Sequence, residues 1–212
     1  MNRPFTVPRE LRLIAGATLL NLALSGVLLL FAGAGADGTE LALRMTARVS
    51  LVYFLLAFLA APLAKFWPGR TVAWLRERRR AFGIVFGLSM TLHVAFILRL
   101  YAVHAPERPP MVTDTDFSIG IPGLVIVGLM TMTSIVVLRR RIGELWWKRL
   151  HTIGIYFVWM VFFLCLVDSV SRKTTTHPFL AYHVFIAALL VAMAIRLGAA
   201  FTALRGGVER PV

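Results

Sequence analysis

Six long apolar stretches, at 11–31, 47–66, 81–102, 119–138, 147–167 and 179–201, run through the chain and are separated by short charged segments. A helix needs about 20 apolar residues to cross the hydrocarbon core of a bilayer. A spanning helix also satisfies its backbone polar groups internally, which lipid cannot do for it. The pattern therefore predicts an all-α integral membrane protein, a six-helix bundle in which residues 1–212 form a single transmembrane domain. Composition agrees: 58% of the side chains are hydrophobic and 16% are charged, where soluble domains run near half and a quarter. The first stretch exceeds the apolar core of a signal peptide, and the glycine-rich segment 33–38 offers no clean cleavage pattern, so it reads as a retained helix.

The formal charge is +13, from 23 basic and 10 acidic residues. A nucleic-acid binder gathers its basic residues on one water-exposed face. Here they punctuate apolar runs instead, so no nucleic-acid partner is expected and the lipid bilayer is. With the N-terminus placed in the cytoplasm, 17 of the 23 basic residues fall on the cytoplasmic side, among them Arg78, Arg79, Arg80, Arg139, Arg140 and Arg141. Arg44, Arg48, Arg99, Arg108, Arg172 and Lys173 remain for the other side. That asymmetry predicts both termini cytoplasmic and a multi-pass protein of the bacterial inner membrane. The longest outer loop, 103–118, is acidic, with Glu107, Asp114 and Asp116. The two arginine triplets read first as topology signals, and second as a dock for an acidic partner or lipid headgroups. No glycine-rich phosphate loop is present.

The single cysteine, Cys165, excludes an intramolecular disulfide and any cysteine-rich metal site. Of five histidines, His104 and His177 fall in outer loops and read as surface residues. His93 falls in mid-span, where an ionisable group is costly unless paired or ligated. Two readings stay open for it: a neutral imidazole bonded to a neighbouring helix, or a metal ligand on the inside of a bundle. His151 follows Trp146, Trp147, Lys148 and Arg149, an interfacial cluster, and so enters the membrane by about one turn. His183 lies about one and a half turns into the sixth stretch from the outer side. Gly83, Gly87 and Gly154 suit either close approach of a flat macrocycle or helix contacts. Met45, Met90 and Met160 read as packing.

Arg79-Arg80-Ala-Phe-Gly83-Ile followed by His93 resembles the third helix of the ferric reductase-like transmembrane family. Trp147-Lys148-Arg149-Leu150-His151 with Tyr156 resembles the W-x-x-L-H motif that opens its fifth helix. Pro178-Phe179-Leu180-Ala181-Tyr182 and Arg196 resemble its last. The resemblance covers about 79–196 and is strongest to the haem-binding membrane subunits of bacterial periplasmic methionine sulfoxide reductase systems. It implies haem b between the helices, with FMN or quinone as a further cofactor. It implies a donor that is membrane quinol or a cytoplasmic flavin reductase, and as partner a periplasmic molybdenum-cofactor reductase subunit. The chain would then be an electron-transfer subunit rather than a stand-alone catalyst. His93 and His151 become the implied axial ligands, and Arg79, Arg80 and Arg149 lie where haem propionates or a flavin phosphate would sit.

One family histidine, near the outer end of the fifth helix, is Cys165 here. Depth matters to what replaces it. His93 stands ~20 Å beyond Arg80 along its helix, and His151, a few residues beyond Lys148 and Arg149, only ~5 Å into its own. Axial nitrogens on one iron are ~4 Å apart, by analogy with other metal–imidazole bonds. The two histidines therefore belong to different levels. Three readings stay open: Cys165 completes the level of His93; His183, ~8 Å below the outer surface, does so; or the haem is five-coordinate or absent. A cofactor-poor membrane partner or a small transporter is the alternative function. The chain has no internal repeat and no acidic residue in mid-span, which a transporter would favour.

Overall fold

The computed structural model describes residues 7–107, 109, 112–134, 136–171 and 179–208. His177, Pro178, Arg108, Arg172, Lys173 and the chain ends lie outside the described residues. The described helices are α1 (Val7–Ala32), α2 (Ala36–Phe66), α3 (Arg70–Glu77), α4 (Arg79–His104), α5 (Ile121–Thr133), α6 (Val136–Ile142), α7 (Glu144–Ser171) and α8 (Phe179–Val208), with a π turn at Asp116–Gly120 before α5. Six segments, carried by α1, α2, α4, the π turn with α5, α7 and α8, are long and apolar enough to span. This is an all-α, multi-pass membrane protein.

Three boundaries differ from the sequence reading, each for a local reason. The expected loop before residue 47 is mostly helix. Gly33, at φ +83°, ends α1 in the left-handed region that favours glycine, and α2 begins at Ala36. Glu40 and Arg44, one turn apart, pair at 3.4 Å and so sit comfortably on a helix. Arg99, from α4, ties down the corner by donating to Thr39 Oγ1 (3.2 Å) and Ala34 O (2.6 Å). A second difference is α3, a short helix with no buried residue; its Trp74 packs on Phe82 with ring centroids 5.9 Å apart. The third is a break in the fourth stretch at Ser134. Its hydroxyl bonds Met130 O at 2.8 Å, and Thr131 and Thr133 likewise turn back on their own helix. Side chains of this kind compete with the helix ladder. Arg80 then caps the freed Ser134 carbonyl at 2.7 Å.

α4, α5, α7, α8 and α2 pack in succession around a closed ring, and α1 lies outside it against α2 and α4. The ring is filled. Leu51, Phe54 and Phe58 from α2 meet Phe86 from α4, Val127 from α5, Ile155 and Val158 from α7, and Leu189 and Ala192 from α8. Phe54 is the hub, with ring centroids 5.3 Å from Phe58, 5.5 Å from Phe86 and 5.6 Å from Phe162. Outward-facing Leu30 and Phe31 are 84% and 89% exposed. That suits a hydrocarbon solvent, and a water-soluble monomer would gain nothing from it.

Glycines decide how closely the ring closes. A Cβ at Gly87 would strike the short Thr131 side chain, and one at Gly154 would strike Met130 Sδ. Both positions are therefore helix–helix contacts in this fold, α4 on α5 and α5 on α7. Gly83, by contrast, has open space beside it. Thr131 has no flexible reach to withdraw, so Gly87→Val must push α4 and α5 apart. It is expected to lower stability by about 1–3 kcal/mol, read as an earlier midpoint on unfolding the detergent-solubilised protein with SDS.

A small polar network joins α1 to the ring. Asn21 Nδ2 donates to Ser89 Oγ (2.6 Å), Ser50 Oγ lies 2.7 Å from Ser89 Oγ, and all three residues are buried. In hydrocarbon such bonds act as interhelical glue. They set the register of α2 against α4, and that register positions the site.

Candidate functional site

His93 lies 14 residues into α4, ~21 Å from its start. Its Nδ1 is 3.1 Å from Thr46 Oγ1 on α2. Thr46 itself bonds Leu43 O at 2.8 Å. The Leu43 carbonyl, beside Thr46 Oγ1, is close enough to act on the imidazole as a further acceptor; beyond Thr46 and Leu43, no hydrogen-bond partner of the ring is found among the described residues. Asp116, at the start of the π turn, is near enough to act electrostatically on both His93 and Cys165. Asp116 is held by a reciprocal pair of bonds with Thr113, N–H to Oδ2 at 2.8 Å and N–H to Oγ1 at 3.1 Å. Asp116 thus stands toward the same side of the bundle as His93 and Cys165.

His151 occupies the other end. Its Nδ1 is 3.0 Å from Trp147 O; a carbonyl only accepts, so Nδ1 carries the proton. Nε2 lies 3.4 Å from Ser134 Oγ, at the break in the fourth stretch. The imidazole lies against the Trp147 ring (centroids 4.4 Å apart, tilted by 34°), and the Arg139 guanidinium covers that ring at 3.9 Å. Arg139 is fixed in turn by Glu144, at 2.7, 2.8 and 3.0 Å. His151 is therefore clamped between its own helix and the corner that precedes it.

Arg196 completes this end. Pro62 inside α2 has no N–H, which leaves the Phe58 carbonyl without its helical donor. Arg196 Nη1 supplies one from α8 at 2.9 Å, and its guanidinium lies 4.5 Å from the Phe58 ring centroid and 5.1 Å from that of Tyr156. Its Nε is buried and, among the described residues, without a hydrogen-bond partner, as is Trp147 Nε1. Arg79 is close enough to interact electrostatically with both Arg196 and His151. Positive charge and two orphaned donors therefore meet near His151, an arrangement suited to an anionic, acceptor-rich group.

The family described as ferric reductase like transmembrane component matches residues 46–165 of this chain. The chain belongs to the ferric reductase-like transmembrane family. No curated protein and no solved structure matches it. In this family member the match begins at Thr46, the partner of His93, and ends at Cys165.

The predicted site residues divide into groups. His93 and Cys165 stand toward the side that holds Asp116; His151 and Arg79 share the other, where Arg80 is bound to Ser134. Among the described residues, His93 and His151 have no hydrogen-bond or ring partner in common. Arg149 is exposed on α7, with its guanidinium 5.4 Å over Trp146, apart from the His151 cluster. His183 is exposed on α8, and α8 packs on α2 and α7 rather than beside His93 on α4. Among the described residues no three of His, Cys, Asp and Glu gather as a metal-binding group.

A haem iron would need fewer protein ligands than that, and the Nε2 of His93 would supply one. Cys165 is half-buried on α7. Thr46, Asp116, Ser134 and the charge on Arg196 escaped the sequence reading. Two of these had signals available: Pro62 announces an unsatisfied carbonyl one turn earlier, and Glu40 with Arg44 announces that α2 starts early enough to carry Thr46.

Proposed function

We propose that this family member is a haem b-binding electron-transfer subunit of a bacterial cell membrane. It passes electrons from a cytoplasmic flavin or membrane quinol donor to a periplasmic oxidoreductase of the methionine sulfoxide reductase type. Family membership supports membrane electron transfer. The observation that carries the haem reading is the mid-depth imidazole of His93, anchored through Nδ1. Bound haem would supply a centre that takes and returns one electron at a time.

The residues would act as follows. His93 offers the axial nitrogen, and Thr46 steadies its ring. His151, wedged by Trp147, stands at the arginine-rich level. Arg79, Arg80 and Arg196 offset the negative charge of propionate or flavin phosphate groups. The phenylalanine-lined ring keeps water from the interior, so charge placed there is felt strongly.

The test is colour. Full-length protein purified in detergent from cells supplied with a porphyrin precursor is expected to show a Soret band and, on reduction with dithionite, a sharp α band. A folded but colourless preparation would sink the reading. It would leave the alternative of a cofactor-poor membrane partner or small transporter.

A further inference from the structure

We propose that Thr46 is the positioning residue that selects the tautomer of His93, holding the proton on Nδ1 so that Nε2 presents its lone pair. The argument is a count of protons. A threonine hydroxyl has one proton to give and lone pairs to receive with. Thr46 Oγ1 stands 2.8 Å from Leu43 O and 3.1 Å from His93 Nδ1. The carbonyl can only accept, so the hydroxyl proton points to Leu43. Thr46 then faces Nδ1 as an acceptor, and Nδ1 must be the protonated nitrogen. A neutral imidazole has a single N–H, so Nε2 is left unprotonated.

The opposite assignment is worse on both sides. With the proton on Nε2, Nδ1 would face the oxygens of Thr46 and Leu43 with a single hydroxyl proton among three acceptors, and no acceptor for the Nε2 proton is found on that side of the ring among the described residues. The position of the hydroxyl is itself held. Ser50 Oγ donates its proton to Thr46 O at 2.7 Å and lies 2.7 Å from Ser89 Oγ, and Ser89 sits one turn before His93 on α4. The α2–α4 register thus places donor and acceptor together before any ligand arrives. Outer partners of this kind fix ring orientation and raise the basicity of a ligating histidine.

What this means for iron rests on the haem reading; the tautomer does not, and the two are tested apart. In haem-free full-length protein with ¹⁵N-labelled histidine, the His93 ring signals are assigned by their loss in His93→Gln. The wild type and Thr46→Ser are expected to show the Nδ1–H form alone. Thr46→Val, similar in shape but without the hydroxyl, is expected to show a substantial Nε2–H population. On haem titration Thr46→Val is expected to bind about 10–100-fold more weakly, and Thr46→Ser to recover most of the loss. Circular dichroism and gel filtration confirm that each variant is folded. A wild type holding mainly Nε2–H overturns the inference, and so does a Thr46→Val protein with unchanged tautomer and unchanged affinity. Wild type that keeps the Nδ1–H form yet takes up no haem supports this inference while sinking the haem reading.

Discussion

Replacing His93 with alanine is expected to strip the purified protein of nearly all its haem, measured as pyridine haemochrome per polypeptide. The expectation follows from depth and isolation. His93 is in mid-span on α4, and His151 is clamped one level away by Trp147 and Ser134. Neither can do the other's work without unwinding a helix. His183 is exposed on α8, which packs on α2 and α7, so it is not expected to replace the lost nitrogen. The fold should survive, because the Asn21–Ser89–Ser50 bonds that set the α2–α4 register do not pass through the imidazole. His151→Ala is the informative companion. It is expected to keep most of the haem if there is one iron, at the level of His93. The reverse result, haem kept in His93→Ala and lost in His151→Ala, would move the site to the arginine-rich end.

The spans were legible because hydrocarbon imposes a simple rule: about 20 apolar residues in sequence must be helix. The rule says nothing about where a helix continues beyond the hydrocarbon, and there the reading fell short. Thr39, Glu40 and Arg44 are polar enough to pass for a loop, yet they extend α2 by a local bond, an i,i+4 pair and a tie to Arg99. That extension carries Thr46 within the helix facing His93. The break at Ser134 was hidden for the opposite reason. Its neighbours are apolar and continue the run, and only the clustering of Thr131, Thr133 and Ser134 hints at a competing pattern. The histidines themselves were conspicuous, since an ionisable residue in an apolar run stands out at once. Their partners were not, because a hydrogen bond between α2 and α4 depends on register. Register is set by packing of side chains distant in sequence. Arg196 shows the same limit. As one basic residue near the end of a span it looked like a topology signal, and its bond to the carbonyl freed by Pro62 requires α8 to lie on α2.

Phe58→Ala is expected to cost about 3 kcal/mol of stability, seen as a clear drop in the SDS fraction at which the detergent-solubilised protein unfolds. Phe58 is 0% exposed and sits where three elements meet, with Phe54 from its own helix, Tyr156 from α7 and Arg196 from α8. In water such a truncation loses a transfer term and a cavity term. In lipid the transfer term largely vanishes, because separated helices rest in hydrocarbon as apolar as the core. What remains is the cavity: about 100 Å³ at about 24 cal/mol per Å³ gives about 2.4 kcal/mol. Loss of the ring beneath the Arg196 guanidinium adds about 0.5–1 kcal/mol. Phe58→Leu separates the two, since it fills most of the volume but offers no π face, and it is expected to lose about 1 kcal/mol. The Phe58 carbonyl survives both changes, so the Arg196 Nη1 bond stays and the charge keeps its place. A loss under about 1 kcal/mol for the alanine variant would mean that the ring closes over the gap. The five helices would then be packed loosely around the phenylalanines. Such an interior would not hold His93 and Arg196 in fixed positions, and the geometric case for a cofactor held between these helices would weaken with it.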